Sequence, residues 1–196
     1  MKRYYTIGMA GHIDHGKTEL TKALTGMNTD RLKAEIERGV SIEPGYAELR
    51  LDEALQVSII DVPGHEKFIR QMIAGVAGID VVVMVVAADE GVMPQTEEHL
   101  EILSFLGIET GIIVITKCDK VESDFLELVI EDVRESIAGT GMASAEMVCV
   151  DSVTGRGIEV LKQLLKEKLP QIPPKSRQGP LRMPIDQVFT IRGQGT

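Results

Sequence analysis

The chain is poor in the residues that make covalent or metal-built frameworks. Its 196 residues include two cysteines, Cys118 and Cys149, which have no partner motif around them. That leaves no disulfide framework and no zinc site to expect. There are four histidines and no His/Cys grouping with metal-ligand spacing. Long apolar runs are missing too. The longest, Val81 to Ala88, has eight residues, against about eighteen for a membrane-spanning helix. The segment Met1–Thr6 carries two charges and no apolar h-region, so no secretory signal is expected and the cytosol is the expected compartment. Positive charge is short as well, with 21 basic residues against 30 acidic and a net charge of −9. A general electrostatic grip on nucleic acid is thereby excluded. The deficit is uneven. From Lys166 onward six basic residues (Lys166, Lys168, Lys175, Arg177, Arg182, Arg192) face two acidic ones (Glu167, Asp186). That tail reads as an ordinary charged linker or as a segment able to touch RNA.

What is present supports a packed core. Hydrophobic residues make up 43%, charged ones 26%, and the mean hydropathy is +0.05. Short β-rich runs alternate with amphipathic stretches, the sign of an α/β sheet with crossover helices. Strands are expected at Tyr4–Met9, Tyr46–Leu51, Gln56–Ile60, Val81–Ala87, Gly111–Thr116 and Met147–Val150. Helices are expected at Lys17–Leu24, Lys67–Val76, Gln95–Leu106, Asp124–Ala138 and Ile158–Glu167. The run Val81–Val86 is apolar throughout, as a central parallel strand covered on both faces would be. Asp52-Glu53 between two strands reads as a hairpin, so one antiparallel pair should interrupt a mostly parallel sheet.

Composition changes after Leu169. The segment 170–180 holds four prolines and reads as a semi-rigid linker after a domain spanning 1–169. Residues 181–196 resume a strand-like pattern, the expected first strand of a truncated second domain. Nine methionines read as core filler. His99 reads as a solvated helix position, and Glu97, Glu98 and Glu101 as a solvated helix face.

Four motifs carry chemistry. Gly11-His12-Ile13-Asp14-His15-Gly16-Lys17-Thr18 fits GxxxxGK[ST] between an expected strand and an expected helix. Its backbone N–H groups would close around phosphates with the helix N-terminus behind them. Lys17 would reach the β- and γ-phosphates, and the Thr18 hydroxyl would coordinate Mg²⁺. Asp61-Val62-Pro63-Gly64 follows another strand. There Asp61 can hold Mg²⁺ through a water, and the Gly64 N–H can bond a γ-phosphate. Thr116-Lys117-Cys118-Asp119 fits [NT]KxD. The Asp119 carboxylate can accept both the N1–H and N2–H₂ donors of guanine while the Lys117 stem lies along the base. Adenine offers neither donor. Ser152-Val153, after the last strand, would bring a backbone N–H to the guanine O6.

These elements, in this order, resemble the GTP-binding domain of translational GTPases. The finer resemblance is to the selenocysteine-specific elongation factors, across essentially the whole chain. It rests on Gly11–Thr18, on Gly26–Leu32 and Glu37–Ala47 as a short first switch, on Asp61–Phe68, on Gly91–Leu100 and on Ile185–Gly193. The resemblance implies a P-loop GTPase three-layer fold, a mostly parallel six-stranded sheet with helices on both faces, followed by the start of a β-barrel domain. It implies ribosome-stimulated hydrolysis of GTP with Mg²⁺, and selenocysteyl-tRNA, the ribosome and an mRNA hairpin as partners of the complete protein. It makes His65 the catalytic residue that positions the attacking water, and Ile13 with Val40 its apolar gate. Ser41 matches the switch residue that closes on Mg²⁺. His12, Ile13, Asp14, His15, Gly16 and Glu19 join Lys17 and Thr18 around the nucleotide.

Several positions depart from the family pattern. Thr116 replaces the commoner asparagine, Ser41 the commoner threonine, and Pro44 and Glu19 are unusual where they stand. A carboxylate at Glu19 beside a phosphate would be repulsive unless it points to solvent. Gln187 stands where a basic residue is common. Other readings stay open: another tRNA-carrying translational GTPase such as an initiation factor gamma subunit or an elongation factor Tu type, a P-loop kinase or ATPase, and a nucleotide-binding module with negligible turnover.

Overall fold

The computed structural model describes residues 2–30, 41–64, 78–173, Val188 and Thr190. The strands are β1 (Arg3–Gly11), β2 (Gly45–Arg50), β3 (Leu55–Asp61), β4 (Val81–Ala87), β5 (Gly111–Thr116) and β6 (Glu146–Cys149). The helices are α1 (Lys17–Thr25), α2 (Pro94–Phe105), α3 (Ser123–Ile137) and α4 (Ile158–Lys168), with a 3₁₀ turn at Leu169–Gln171. The six strands form one sheet in the order β2-β3-β1-β4-β5-β6. Every pairing is parallel except β2 with β3. The six expected strands and the hairpin at Asp52-Glu53 are therefore present. The expected helix at Lys67–Val76 lies outside the described residues, as do most of the linker and the segment 181–196.

Side-chain alternation divides the core into two layers. Along β4, Val81, Val83 and Val85 face one side with Leu20 and Leu24 of α1 and Leu161 and Leu165 of α4. Val82, Met84 and Val86 face the other with Leu100 and Leu103 of α2 and Val129, Val133 and Ile137 of α3. Both faces are covered, so the whole of β4 and β5 is buried. Edge strand β2 instead alternates buried and exposed residues, because among the described residues one of its faces meets a helix, α1. In α3 the buried residues recur every four positions, and that spacing aligns them on one face.

The parallel arrangement carries all the carboxyl ends of β1, β3, β4, β5 and β6 to one edge. The chain leaves β1 towards β2 and β3 on one side and reaches β4 on the other. That reversal opens a crevice beyond the end of β1, where α/β sheets place their ligands.

Candidate nucleotide site

The loop after β1 is shaped by three left-handed residues. Gly11, Asp14 and Gly16 have φ of 133°, 60° and 86°, and such alternation turns successive N–H groups to one concave side. Gly16 caps α1, so the free amides of that helix's first turn face the same space. Lys17 is buried, and its Nζ donates to the carbonyls of Gly11 at 3.0 Å and His12 at 2.6 Å. Burial lowers its pKa to about 8, against the pull of Asp61 and Asp14. An anion at the loop would favour the charged form of this lysine. Gly64 closes the other side. A Cβ there would lie 2.5 Å from Lys17 Nζ and 2.8 Å from Ile13 N.

Beside the lysine lies a knot of hydroxyls and carboxylates. Asp61 Oδ2 accepts from Thr18 Oγ1 at 2.8 Å and from Thr29 Oγ1 at 2.7 Å. Ser41 Oγ lies 3.2 Å from Thr18 Oγ1 and donates to Asp30 Oδ1 at 2.8 Å. Asp61 Oδ1 is buried with no partner among the described residues. Burial raises the Asp61 pKa, and the Thr29 hydroxyl is the first of the groups that oppose it. A buried, half-satisfied carboxylate among hydroxyls is the oxygen-only donor set that a hard divalent cation takes. The motifs point to Thr18 and Asp61 and the resemblance to Ser41, but neither points to Thr29.

The Thr116–Asp119 motif hangs from the same loop. Thr116 Oγ1 donates to the carbonyl of His15 at 2.7 Å. Lys117 takes φ of 54°, which swings its side chain out of the sheet. Its Nζ pairs with Asp89 Oδ1 and Glu90 Oε1, each at 3.2 Å. Asp119 is exposed on the turn that follows. In the last loop Asp151, buried and unmarked by any motif, organises the turn. It accepts from the amides of Val153 at 2.9 Å and Thr154 at 3.3 Å, and from the Thr154 hydroxyl. The Val153 amide is thus engaged, and the Ser152 amide has no partner among the described residues.

One expectation changes. His99 does not face solvent. It is 2% exposed, and its Nδ1 accepts the Gly11 amide at 2.9 Å. Gln95 Oε1 accepts the Ile13 amide at 3.1 Å from the same helix, so α2 holds the phosphate loop at two points. Glu19, placed among the nucleotide-binding residues with a carboxylate expected to point to solvent, does so: it turns towards Lys22 at 3.4 Å and is 61% exposed. His15 is fully buried, with a pKa lowered by desolvation to about 4. It is neutral, so its 3.7 Å approach to Glu90 is not an ion pair. His65 and Val40 lie outside the described residues.

Residues 2–171 match the family described as the elongation factor Tu GTP binding domain. The chain belongs to this family. Among curated relatives, the selenocysteine-specific elongation factor of Desulfomicrobium baculatum is 53% identical over 190 residues, covering 97% of this chain and 30% of that protein. Translation initiation factor 2 subunit gamma of Thermococcus kodakarensis is 34% identical over 212 residues, covering 97% and 52%. The crystal structure of a bacterial selenocysteine-specific elongation factor superposes with a TM-score of 0.90 at 43% identity, covering 98% of this chain and 33% of that one. The chain therefore spans about a third of the length of the elongation factors it matches, and as a member of the family it has the expected P-loop GTPase fold. No helix among the described residues is long and apolar enough to cross a membrane.

Proposed function

We propose that this chain is the GTP-binding and GTP-hydrolysing switch of an elongation factor that delivers selenocysteyl-tRNA to the ribosome. One observation carries the guanine reading. The Thr116 hydroxyl is bonded to the P-loop carbonyl of His15, so the turn that carries Asp119 is anchored on the phosphate loop. A single nucleotide would engage both, with Asp119 on the base and Lys17 on the phosphates. Thr18, Ser41 and Asp61 would hold Mg²⁺, which neutralises charge on the β- and γ-phosphates. His65 orients the attacking water, gated by Ile13 and Val40, and the ribosome stimulates that step. Positioning and charge neutralisation suffice for this chemistry. The selenocysteine assignment is supported by the relative at 53% identity, and a region beyond this domain would read an mRNA hairpin. The factor would work in the cytosol.

Asp119→Asn tests the guanine reading, because it reverses one donor–acceptor pair with the base. Preference should pass from guanine to xanthine nucleotides. Unchanged use of ATP by the variant would instead support a P-loop kinase or ATPase. His65→Ala should keep GTP affinity and lose ribosome-stimulated hydrolysis. The delivery role is tested on the full-length factor with GTP, by its protection of selenocysteyl-tRNA from ester hydrolysis against seryl-tRNA of the same tRNA sequence and initiator tRNA. Preference for initiator tRNA would favour the second reading, an initiation factor gamma subunit, which the relative at 34% identity supports.

A further inference from the structure

Two carboxylates that no sequence motif marks stand at the end of β4. The chain turns sharply there, with the amides of Glu90 and Gly91 both donating to the carbonyl of Ala87, at 3.2 and 2.8 Å. The Ala88 amide donates to the carbonyl of Thr116 at 2.8 Å. The turn is thus tied to the residue just before Lys117, and it carries Asp89 and Glu90. The Lys117 ammonium lies 3.2 Å from Asp89 Oδ1 and 3.2 Å from Glu90 Oε1. The second oxygen of each carboxylate also has a neighbour. Asp89 Oδ2 accepts from Lys120 Nζ at 3.1 Å, and Glu90 Oε2 lies 3.7 Å from Nε2 of the buried His15. Two lysines balance two carboxylates, so the turn presents little net charge to an anionic ligand.

These contacts fix one side chain at both ends. The Lys117 backbone is held at φ 54°, a left-handed conformation that residues other than glycine seldom adopt. Partial burial works against its charge, but the Asp89 and Glu90 carboxylates outweigh it and raise the pKa. One ion pair at this exposure contributes little. Two carboxylates converging from a hydrogen-bonded turn leave the ammonium far less freedom. We propose that Asp89 and Glu90 are positioning residues for base recognition, which stretch the Lys117 stem between β5 and β4 as an apolar bar for the purine ring. Their role rests on the GTP reading above, in which Lys117 and Asp119 meet the base.

The benefit is order prepared before binding. A lysine side chain is a flexible four-carbon stem, and ordering such a chain on binding weakens affinity by roughly two- to tenfold. A stem already fixed at both ends avoids that loss. Its methylenes keep the apolar surface on which a ring packs, while the ammonium stays with its carboxylates. Asp89 and Glu90 act through Lys117 and need touch no part of the nucleotide. The opposite arrangement, in which the carboxylates draw the lysine away from the nucleotide, predicts an effect of the opposite sign.

Asp89→Asn, Glu90→Gln and the double variant keep size and remove charge. Calorimetric titration with GDP and, separately, with inorganic pyrophosphate distinguishes the base end of the site from the phosphate end. Each single variant should weaken GDP binding by roughly two- to threefold and the double variant by roughly tenfold. Pyrophosphate carries no base and should bind no more weakly than to wild type. In a Lys117→Met background, which removes the ammonium, the double substitution should weaken GDP binding no further. Tighter GDP binding by the double variant would show competition for the lysine and overturn the proposal. A loss shared by pyrophosphate would place the defect in the phosphate loop, which Glu90 approaches at His15, and would overturn it too. So would a loss that persists undiminished without the Lys117 ammonium. Wild-type preference for GDP over ADP with unchanged variants would overturn the proposal alone. Wild-type preference for ADP would overturn the GTP reading and the proposal with it.

Discussion

The Gly11 amide and the His99 imidazole meet at 2.9 Å across 88 residues of chain. With Nδ1 as the acceptor, the ring must be neutral and carry its proton on Nε2. Desolvation keeps it so, lowering the pKa to about 4. The first residue of the phosphate loop is therefore held by a helix that never enters the motif.

Removing that acceptor should loosen the loop. His99→Leu keeps the apolar bulk and leaves a buried N–H unpaired, at a cost of about 1–3 kcal/mol. GDP release should quicken by roughly tenfold if most of that cost falls on the bound state. His99→Asn offers a side-chain oxygen near the lost nitrogen and should recover most of the effect. Stopped-flow release of a labelled GDP and urea midpoints for the two variants check this. Equal behaviour of the two would show that volume, and not acceptance, is what matters.

The buried histidines also set a pH dependence. His15 and His99 both have folded pKa values of about 4 against 6.5 for an ordinary histidine. His15 faces His12, Glu90 and Lys17, while His99 faces Lys17 and His12. Between these pH values the unfolded chain binds protons that the folded chain refuses. Stability is thus greatest above pH 6.5 and is lost as pH falls towards 4, by at most about 3 kcal/mol per histidine. Asp61, with its raised pKa, acts in the opposite sense. Thermal melts across this range should show the fall, and His99→Asn should remove part of it.

Why the strands and motifs were legible while His99 was not is a matter of what each residue packs against. An unbroken run such as Val81–Val86 has one reading, a strand covered on both faces. The P-loop and Thr116–Asp119 are local sequences with local geometry. The buried residues of α2 are Thr96, His99, Leu100 and Leu103, and His99 is polar there because it meets the Gly11 amide. Apolar periodicity cannot show such a contact. Thr29 and Asp151 escaped notice for a related reason. Thr29 acts through a carboxylate 32 positions away, and Asp151 acts by folding its own loop. Asp89 and Glu90 follow a central strand beside the Lys117 loop, a placement that becomes visible only once the strand order is known.

Gly64 is a position where one methyl group should separate two nucleotides. Its Cβ would fall 2.5 Å from Lys17 Nζ and 2.8 Å from Ile13 N, closer than packed atoms approach. Gly64→Ala must push the lysine or the Asp61–Gly64 turn aside, on the side where a third phosphate would sit. GTP affinity should fall by roughly tenfold or more, with GDP affinity changed by only about two- to threefold. Calorimetric titration of both nucleotides checks the ratio. Equal losses would place the displaced group at the phosphates the two nucleotides share.

Thr29 offers the sharpest test of the cation site, because it touches Asp61 without being a ligand. Its hydroxyl is one of two donors to Asp61 Oδ2, and the residue is buried beneath Gly45, whose Cβ would collide with it. Thr29→Val preserves shape and removes only that donor, leaving the carboxylate freer to turn away from Thr18. The Mg²⁺ concentration needed for half-maximal GTP retention should rise by roughly fivefold, about 1 kcal/mol. Affinity at saturating Mg²⁺ should stay near wild type, and Thr29→Ser should restore the requirement. Magnesium titrations of GTP release measure all three. If Thr29→Ser fails to rescue, the residue serves the fold through its methyl against Gly45, and the orientation of Asp61 must come from Thr18 alone.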